Sequence, residues 1–284
     1  MKLNNIKKYY KDHEVLKGIS FELNKGEIVG LIGKNGAGKT TLMKVICQNI
    51  ITFEGNLEND YKLGYMIENP KVYENRTGLY NLKYFSQLFG NKIDEAFIFD
   101  LINRLELEKV INEKVSKYSL GMKQKLSLLL ALVNKPDYLI LDEPTNGMDV
   151  ETSYNLLNFL KDLVQKENIG ILISSHKLED VETICSRILF IEEGELLIDA
   201  PIEKITDAYY TVIFSTEADA DRFVESYAGV IKMITQNEVV VGNIDGMSGI
   251  ISLCSQQKIS LLDIKFTKND LRTAYLNDFG GELI

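Results

Sequence analysis

The sequence has few cysteines, no long apolar segment and no apolar leader. Cys47, Cys185 and Cys254 are far apart, and no two have the spacing of metal ligands. Because an odd number also does not suit a set of disulfides, we expect small buried side chains in a reducing compartment. The longest apolar run, residues 126–133, is far shorter than the roughly 20 residues that span a bilayer. The N-terminal residues lack the apolar core of a secretory signal, so we expect a soluble chain that meets a membrane only through partners.

An excess of basic residues is also missing. The 284 residues include 32 Lys and Arg against 41 Asp and Glu, which gives a net charge of −9. A chain this acidic is a poor candidate for binding nucleic acid through its overall charge, and we expect no nucleic-acid partner. The hydrophobic share of 45% and the charged share of 26% are typical of globular proteins. The length allows one large domain and one small domain.

Strand and helix patterns alternate through most of the chain. Strands are predicted at residues 17–23 and 27–32, and two buried strands at 138–141 and 169–174 flank an amphipathic helix. The segment 77–134 is mostly helical in pattern. Strands that alternate with helices predict an α/β fold, with a largely parallel sheet covered on both faces.

Two further strand features precede a change of pattern at Pro201. One strand is predicted at residues 62–67, and a hairpin is predicted at 187–199. Lys7 and Lys8, near the N-terminus, are expected to be solvated charges on a strand edge.

The pattern after Pro201 predicts a separate small domain. Its elements follow in the order β-α-β-β-α-β, which is the order of a ferredoxin-like domain, and a terminal helix follows at residues 270–279. The predicted strands are residues 210–214, 230–235, 238–241 and 261–266, and the predicted helices are 218–227 and 248–254.

A glycine-rich loop between a strand and a helix predicts a phosphate site. Residues 33–40 match G-x-x-x-x-G-K-[ST], in which glycines let several backbone N–H groups point at phosphate oxygens. The following helix adds its positive N-terminal end. Lys39 is expected to reach the β- and γ-phosphates and is predicted to be catalytic, and Thr40 is expected to bind Mg²⁺ through its hydroxyl. The predicted nucleotide contacts in this segment are Gly33, Lys34, Asn35, Gly36, Ala37, Gly38, Lys39, Thr40 and Thr41.

Two acidic residues end the buried strand at 138–141. Asp142 is expected to emerge beside the phosphate loop, because ligands of open α/β sheets bind at the carboxyl ends of the strands. We predict that Asp142 binds Mg²⁺ directly or through water. We predict that Glu143 accepts a proton from the attacking water, or orients that water, and so is catalytic.

Further segments occur in a fixed order around these motifs. Tyr10 precedes a strand start, the segment Tyr-Ser-Leu-Gly-Met at 118–122 opens a helix, Asn-Gly-Met-Asp occupies 146–149, and His176 follows a buried strand. From residue 1 to about residue 200, the chain resembles the ATP-binding subunit of an ATP-binding cassette (ABC) transporter.

The resemblance implies a fold and its division into domains. It implies an α/β, ABC-type P-loop NTPase domain at residues 1–204, with a helical subdomain at about 75–134 and an antiparallel β subdomain. The small α+β, ferredoxin-like domain with its terminal helix then occupies residues 205–284.

The resemblance also implies roles for residues outside the phosphate loop. Tyr10 would stack on adenine, with the adjacent Tyr9 as the alternative. Ser119 and Gly121 would cap the γ-phosphate of a nucleotide bound to the opposing subunit, since a hydroxyl and a helix N-terminus form an anion site. Asp149 would bridge the two subunits. His176 would be catalytic, contacting the γ-phosphate and holding the attacking water.

Three residues depart from the family pattern. Leu120 and Met122 stand where the signature segment usually has a glycine and a glutamine. Leu120 cannot cheaply follow a backbone path that needs positive φ, so a weakened second half-site is expected. Glu68 stands where the family has a glutamine; as a carboxylate it is still expected to contact the nucleotide site and bind Mg²⁺.

Within the family, the chain resembles one subgroup, the exporters of drugs and antimicrobial peptides of the bacitracin- and lantibiotic-resistance type. It rests on the segment 67–70, on the signature segment and on the end of the chain. The likeness implies ATP and Mg²⁺ as cofactors, a homodimer or heterodimer of ATP-binding subunits, and separate transmembrane permease subunits. These would hold the chain on the cytoplasmic face of the cell membrane. The alternative is a soluble ABC ATPase that acts on nucleic acid or ribosomes.

Overall fold

The computed structural model describes residues 1–58, 60–68, 72–88, 94–206, 208–242, 246–268 and 271. The terminal helix predicted at 270–279 and the Asn-Pro pair at 69–70 therefore lie outside the described residues, apart from Leu271. The chain divides into two compact units, Met1–Pro201 and Ile202–Ile284. This division lies three residues before the predicted end of the first domain at 204, because a strand ends at Pro201 and a short 3₁₀ helix, Ile202–Lys204, begins the second unit.

The first unit contains nine strands and six α-helices in its described part. In chain order they are β1 (Lys2–Tyr10), β2 (His13–Glu22), β3 (Ile28–Ile32), α1 (Lys39–Ile46), β4 (Glu54–Leu57), β5 (Leu63–Met66), α2 (Gly78–Leu88), α3 (Glu95–Arg104), α4 (Leu120–Leu132), β6 (Tyr138–Asp142), α5 (Val150–Glu167), β7 (Gly170–Ser174), α6 (Leu178–Ile184), β8 (Arg187–Glu192) and β9 (Glu195–Pro201).

A six-stranded sheet forms the centre of this unit. Its strand order is β5-β6-β7-β3-β8-β9, and every pair is parallel except the β8–β9 hairpin. All residues of β3 and β7 are buried, as continuous apolar runs in a covered parallel sheet require. The predicted α/β fold is confirmed, and so are the predicted strands and hairpin of this sheet.

A second, antiparallel sheet has the strand order β2-β1-β4. It corresponds to the antiparallel β subdomain that the resemblance implied. The sequence pattern did not predict β4: its four residues alternate poorly, and Gly55 adopts φ +101° where a Cβ would lie 2.3 Å from the Asn5 carbonyl oxygen. This strand exists because it pairs with β1, which is a tertiary effect.

The described part of the segment between β5 and β6 is mostly helical, as predicted. It contains α2, α3 and α4, with a 3₁₀ turn at Val115–Lys117 before α4. Asp94 caps α3 by accepting a hydrogen bond from the Phe97 backbone N–H at 3.1 Å. The predicted apolar stripe of α3, which includes Leu101, is buried.

The second unit has the predicted element order β-α-β-β-α-β. Its elements are β10 (Ala208–Phe214), α7 (Glu217–Ser226), β11 (Val230–Thr235), β12 (Glu238–Gly242), α8 (Gly246–Gln256) and β13 (Leu261–Lys268). The four strands form one antiparallel sheet in the order β11-β12-β10-β13. Phe214 on β10 packs against Phe223 on α7 in a core that belongs to this unit alone. The ferredoxin-like classification stays a prediction.

Candidate nucleotide-binding site

The phosphate loop joins β3 to α1, as the motif requires. Gly33 lies so close to the neighbouring strand that a Cβ would be 2.1 Å from the Ile191 carbonyl oxygen. Gly38 precedes the first residue of α1 with φ +108°, a left-handed conformation that favours glycine. Ala37 accepts a hydrogen bond from the Gly194 N–H at 3.0 Å, which ties the loop to the β8–β9 turn. Because Gly38 has no side chain to cap α1, the first N–H groups of the helix face the loop as an anion site.

Lys39 is folded back over this loop. Its ammonium donates hydrogen bonds to the Gly33 carbonyl at 2.6 Å and to the Lys34 carbonyl at 3.0 Å. The side chain is buried, and this burial lowers the pKa of Lys39, while the carboxylates of Glu143 and Asp142 act in the opposite direction. The structure therefore places a partly desolvated positive charge at the centre of the predicted phosphate site.

The remaining loop residues lie around the Lys39 ammonium. Asn35 and Gly36 are exposed at the tip, and Gly36 adopts φ +82° with open space around it. Lys34 forms an ion pair with Glu192 at 3.3 Å. Thr41 is half-buried in the first turn of α1.

Asp142 accepts hydrogen bonds from two hydroxyl groups. Thr40 Oγ1 donates to Asp142 Oδ2 at 3.0 Å, and Ser174 Oγ donates to Asp142 Oδ1 at 2.6 Å. The predicted meeting of Thr40 and Asp142 is thus present in the geometry. Ser174 was not singled out in the sequence; it meets Asp142 because the two residues pair across β6 and β7. Its only sequence signal is its position at the end of a buried strand.

The oxygen donors beside the loop fit a magnesium ion. Mg²⁺ prefers oxygen ligands and in phosphate sites takes one or two protein groups together with phosphate oxygens. The Thr40 hydroxyl and the Asp142 carboxylate are such groups, 3.0 Å apart. No cluster of three or more His, Cys, Asp or Glu is placed to enclose a metal within the described ranges. The site therefore fits an ion that also needs phosphate.

Glu68 lies in a different environment from the one its predicted role suggests. Its carboxylate pairs with the Lys44 ammonium, and its backbone is in the left-handed region at φ +61°. Magnesium binding would require the carboxylate to turn away from Lys44. That role stays a prediction.

Glu143 and His176 form a close pair. His176 Nε2 lies 2.5 Å from Glu143 Oε1, and the histidine is half exposed. The Glu143 N–H donates to Ser174 Oγ at 3.0 Å, which ties the residue to β7. Glu143 adopts φ +50°, a conformation that non-glycine residues adopt only when their surroundings enforce it. Two of the three predicted catalytic side chains, Glu143 and His176, thus meet at the carboxyl end of the sheet, next to Asp142.

Tyr10 lies at the end of β1, and its ring is in contact with the Lys8 side chain. Its ring is 49% exposed, and the Lys8 ammonium lies 4.9 Å from the ring centroid. Lys8 itself is 7% exposed and donates to the Thr52 carbonyl at 2.6 Å and the Thr52 hydroxyl at 2.8 Å. The expectation that Lys8 is a solvated edge charge was therefore wrong, because the residues before β4 cover it. Tyr9 instead donates its hydroxyl to Glu14.

Tyr10 and Glu68 line the same cavity. It measures about 750 Å³ and is also lined by Lys44, Tyr65 and Phe85. These two predicted nucleotide contacts therefore share one concave surface of the first unit.

The signature segment forms the N-terminus of α4. Ser119 caps this helix by accepting from the Met122 N–H at 3.2 Å, and the Ser119 N–H points at Met122 Sδ at 3.4 Å. Leu120 is the first helical residue and does not have a positive φ. The strain expected from the missing glycine is therefore absent, because the backbone here is ordinary right-handed helix.

Asp149 begins the next helix close to the signature segment. It caps α5 by accepting from the Thr152 N–H and the Thr152 hydroxyl, each at 2.8 Å, and these hydrogen bonds lower the pKa of Asp149. A Cβ on Gly121 would lie 3.8 Å from Met148 Cγ. The starts of α4 and α5 therefore bring together a second group of predicted site residues, Ser119, Gly121 and Asp149. The described residues show no direct hydrogen bond from this group to Lys39 or Thr40.

Comparison with known proteins gives the same class as the geometry. A phosphate loop, an acidic strand end and a second helix N-terminus on an α/β sheet define a nucleoside-triphosphate-binding domain. The family model described as ABC transporter matches residues 16–146.

Curated relatives extend the match along the chain. The uncharacterized ABC transporter ATP-binding protein YdbJ of Bacillus subtilis is 36% identical over 202 residues, which are 67% of this chain and 65% of that protein. The lantibiotic transport ATP-binding protein SrtF of Streptococcus pyogenes is 36% identical over 208 residues, covering 70% of this chain and 90% of SrtF. YhcH of Bacillus subtilis, also named as an ABC transporter ATP-binding protein, is 28% identical over 99% of this chain and 96% of its own length.

Solved structures show the same fold. An ATP-binding subunit of an ABC transporter superposes with a TM-score of 0.63 at 28% identity, covering 72% of this chain and 90% of that one. The dimeric cassette MJ0796, solved after hydrolysis with ADP and phosphate bound, gives a TM-score of 0.62 at 23% identity, over 70% and 97% of the two chains.

The chain belongs to the ABC transporter ATP-binding protein family, and its first unit is an ABC ATPase domain. No helix in the described ranges is long and apolar enough to cross a membrane.

Proposed function

We propose that this chain binds and hydrolyses ATP as a subunit of a membrane transporter that exports a drug or an antimicrobial peptide. The observation that carries the hydrolytic part is the Glu143–His176 pair, 2.5 Å apart beside the Thr40–Asp142 pair. The export part is supported by SrtF, a lantibiotic transport protein that is 36% identical to this chain. The net charge of −9 does not favour the alternative of a soluble ATPase acting on nucleic acid.

The phosphate loop and Lys39 bind the triphosphate. Lys39 leaves the carbonyl oxygens of Gly33 and Lys34 and donates instead to phosphate oxygens, which are stronger acceptors because they are charged. Backbone N–H groups at the start of α1 hold the same phosphates. Thr40 and Asp142 would hold Mg²⁺, which would offset charge on the transferred phosphate.

Glu143 and His176 act on the attacking water. Glu143 accepts a hydrogen bond from this water and takes its proton as the water oxygen bonds to the γ-phosphorus. The bond from the γ-phosphorus to the β–γ bridging oxygen breaks, and ADP leaves with that oxygen. His176, already within hydrogen-bond distance of Glu143, orients the carboxylate and the water. Glu143 adopts a left-handed backbone conformation directly after the last residue of β6.

A second ATP-binding subunit completes each site. Ser119 and Gly121 at the N-terminus of α4 cap the γ-phosphate held by the partner, since a helix N-terminus with a hydroxyl is an anion site. Asp149 bridges the two subunits. Closure of this dimer moves separate permease subunits, and ATP can shift the transporter only by as much as it prefers the closed state.

The Glu143→Gln variant tests this proposal. Because the amide cannot take a proton, we expect hydrolysis to fall by at least about a hundredfold while ATP binding persists. The variant should then accumulate as a dimer with ATP and Mg²⁺, measured by light scattering after size exclusion, whereas Glu143→Gln with ADP should stay monomeric. A variant that stays monomeric with ATP would contradict the shared sites.

Copurification tests the transport part separately. The tagged full chain, extracted in mild detergent from its native cell, should bring with it a multi-span membrane protein. Capture of ribosomes or nucleic acid in place of that protein would favour the soluble alternative.

A further inference from the structure

Asp180 is a buried carboxylate that the proposed mechanism does not use. It lies in the first turn of α6 and is 9% exposed. The structure shows no ion pair between Asp180 and a Lys, Arg or His among the residues it describes. Burial of an unpaired carboxylate is costly unless hydrogen bonds satisfy it. Asp180 Oδ2 accepts one from the Thr145 hydroxyl at 2.6 Å and a longer one from the Ser175 hydroxyl at 3.4 Å.

These two hydroxyls belong to two different loops. Thr145 lies two residues after Glu143, in the loop that follows β6. Ser175 lies directly before His176, in the loop that follows β7. Both side chains are buried, and Ser175 Oγ also accepts from the Lys177 N–H at 3.0 Å. Asp180 therefore joins the loop that bears Glu143 to the loop that bears His176.

This connection lies just beyond the point where the pairing of β6 with β7 ends. The pairing of β6 with β7 ends at Asp142 and Ser174. Beyond it the chain turns sharply at Glu143, which adopts a left-handed conformation that its surroundings have to maintain. Among the residues that the structure describes, the Thr145–Asp180–Ser175 contacts link the two loops through buried side chains on the far side of that turn.

We propose that Asp180 is a positioning residue for ATP hydrolysis. It holds the Thr145 and Ser175 loops at a fixed separation, so that His176 stays within hydrogen-bond distance of Glu143. It acts through those two side chains and does not itself contact the nucleotide. This inference rests on the proposed function, since it needs Glu143 and His176 to act in hydrolysis.

Substitution of Thr145 tests the connection with little change of volume. Thr145→Val removes the hydroxyl, and Thr145→Ser keeps it. Because small displacements of catalytic groups cost rate more than affinity, we expect Thr145→Val to lower kcat about tenfold and to change KM for ATP less than about twofold. Thr145→Ser should stay within about twofold of the wild-type kcat. The measurement is steady-state hydrolysis by the full chain with ATP and Mg²⁺.

A double substitution shows whether the effect passes through His176. If Thr145 acts by positioning the Glu143–His176 pair, Thr145→Val should lower kcat further by less than about twofold in a His176→Ala background. Effects that multiply in the double variant would mean that the two residues act independently, and would overturn the proposal.

A buried carboxylate in the second unit separates positioning from stability. Asp219 is also buried and accepts a hydroxyl hydrogen bond, from Thr216 Oγ1 at 2.7 Å, and unlike Asp180 it also pairs with Arg222. Asp219→Ala and Asp180→Ala should both lower Tm, but only Asp180→Ala should lower kcat when measured well below Tm. An Asp180→Ala variant that behaves as Asp219→Ala does would overturn the positioning role while leaving the proposed function intact. A wild-type chain that does not hydrolyse ATP would overturn both.

Discussion

At the scale of single residues, the burial of a side chain depends on the hydrogen-bond partners that surround it. Lys8 and Lys39 are both lysines with 7% exposure, yet each ammonium has acceptors that justify its burial. The place of Lys39 in a phosphate site could be predicted, because its motif has fixed spacing. The burial of Lys8 could not be predicted, because its partner Thr52 is brought to it by the pairing of β1 with β4.

Substitution of Lys8 should weaken ATP binding through Tyr10. The ammonium lies under the ring that is proposed to stack on adenine, and a cation–π contact of this kind is worth about 1 kcal/mol, or about fivefold in affinity. We expect Lys8→Met to raise KM for ATP by about that factor and to leave kcat within about twofold.

Two controls define this effect. Lys7→Met changes the adjacent, more exposed lysine and should leave KM unchanged. In a Tyr10→Ala background, Lys8→Met should add nothing further. An unchanged KM in Lys8→Met, with Tyr10→Ala impaired, would show that Tyr10 needs no support from Lys8.

At the scale of elements, the site is built from helix and strand ends. The carboxyl ends of β3, β6 and β7 bring the phosphate loop, Asp142 and Ser174 to one edge of the sheet. The N-termini of α4 and α5 are capped by Ser119 and Asp149. Ser119 and Asp149 could be singled out through the family resemblance, because their segments occur in a fixed order along the sequence. The hydroxyls of Ser174 and Ser175 have no such signal, because their partners come from strand pairing and from α6.

The cap at Asp149 should make stability depend on pH. Hydrogen bonds from Thr152 lower the pKa of Asp149 in the folded chain, so its ionised form contributes stability above the unfolded value of 3.8. That contribution is lost as pH falls through the lower folded pKa. Asp149→Asn keeps one acceptor oxygen but loses the charge and the second acceptor.

We therefore expect wild type to have the higher Tm at pH 7, and the difference from Asp149→Asn to shrink as pH falls below about 4. Thermal unfolding followed by circular dichroism across pH 3 to 7 would measure this. A difference that stays constant over the range would mean that the charge of Asp149 does not stabilise α5.

At the scale of the whole molecule, the described residues form a hydrophobic core in each of the two units. The core around the phosphate loop includes Leu31 and Leu42, and the core of the second unit includes Val212 and Phe223. The sequence pattern predicted this change of architecture at Pro201, because the strand spacing and the order of elements differ on either side of it. The alignment with YhcH covers 99% of the chain and so extends over both units of this chain.

Removal of the second unit should leave an ATP-binding domain. Because every buried residue of the first core lies before Pro201, a chain of residues 1–204 should fold and bind ATP. Bound nucleotide stabilises the folded state in proportion to the logarithm of its concentration over Kd. We expect the Tm of the shortened chain to rise with ATP and Mg²⁺ by an amount close to that of the full chain.

A Lys39→Ala version of the shortened chain controls for nonspecific effects of ATP, and its Tm should not rise. If residues 1–204 fold but respond weakly to ATP, the second unit contributes to nucleotide binding. If they do not fold, the first core depends on the second unit, and the two cores are one cooperative structure in spite of their separation in the fold.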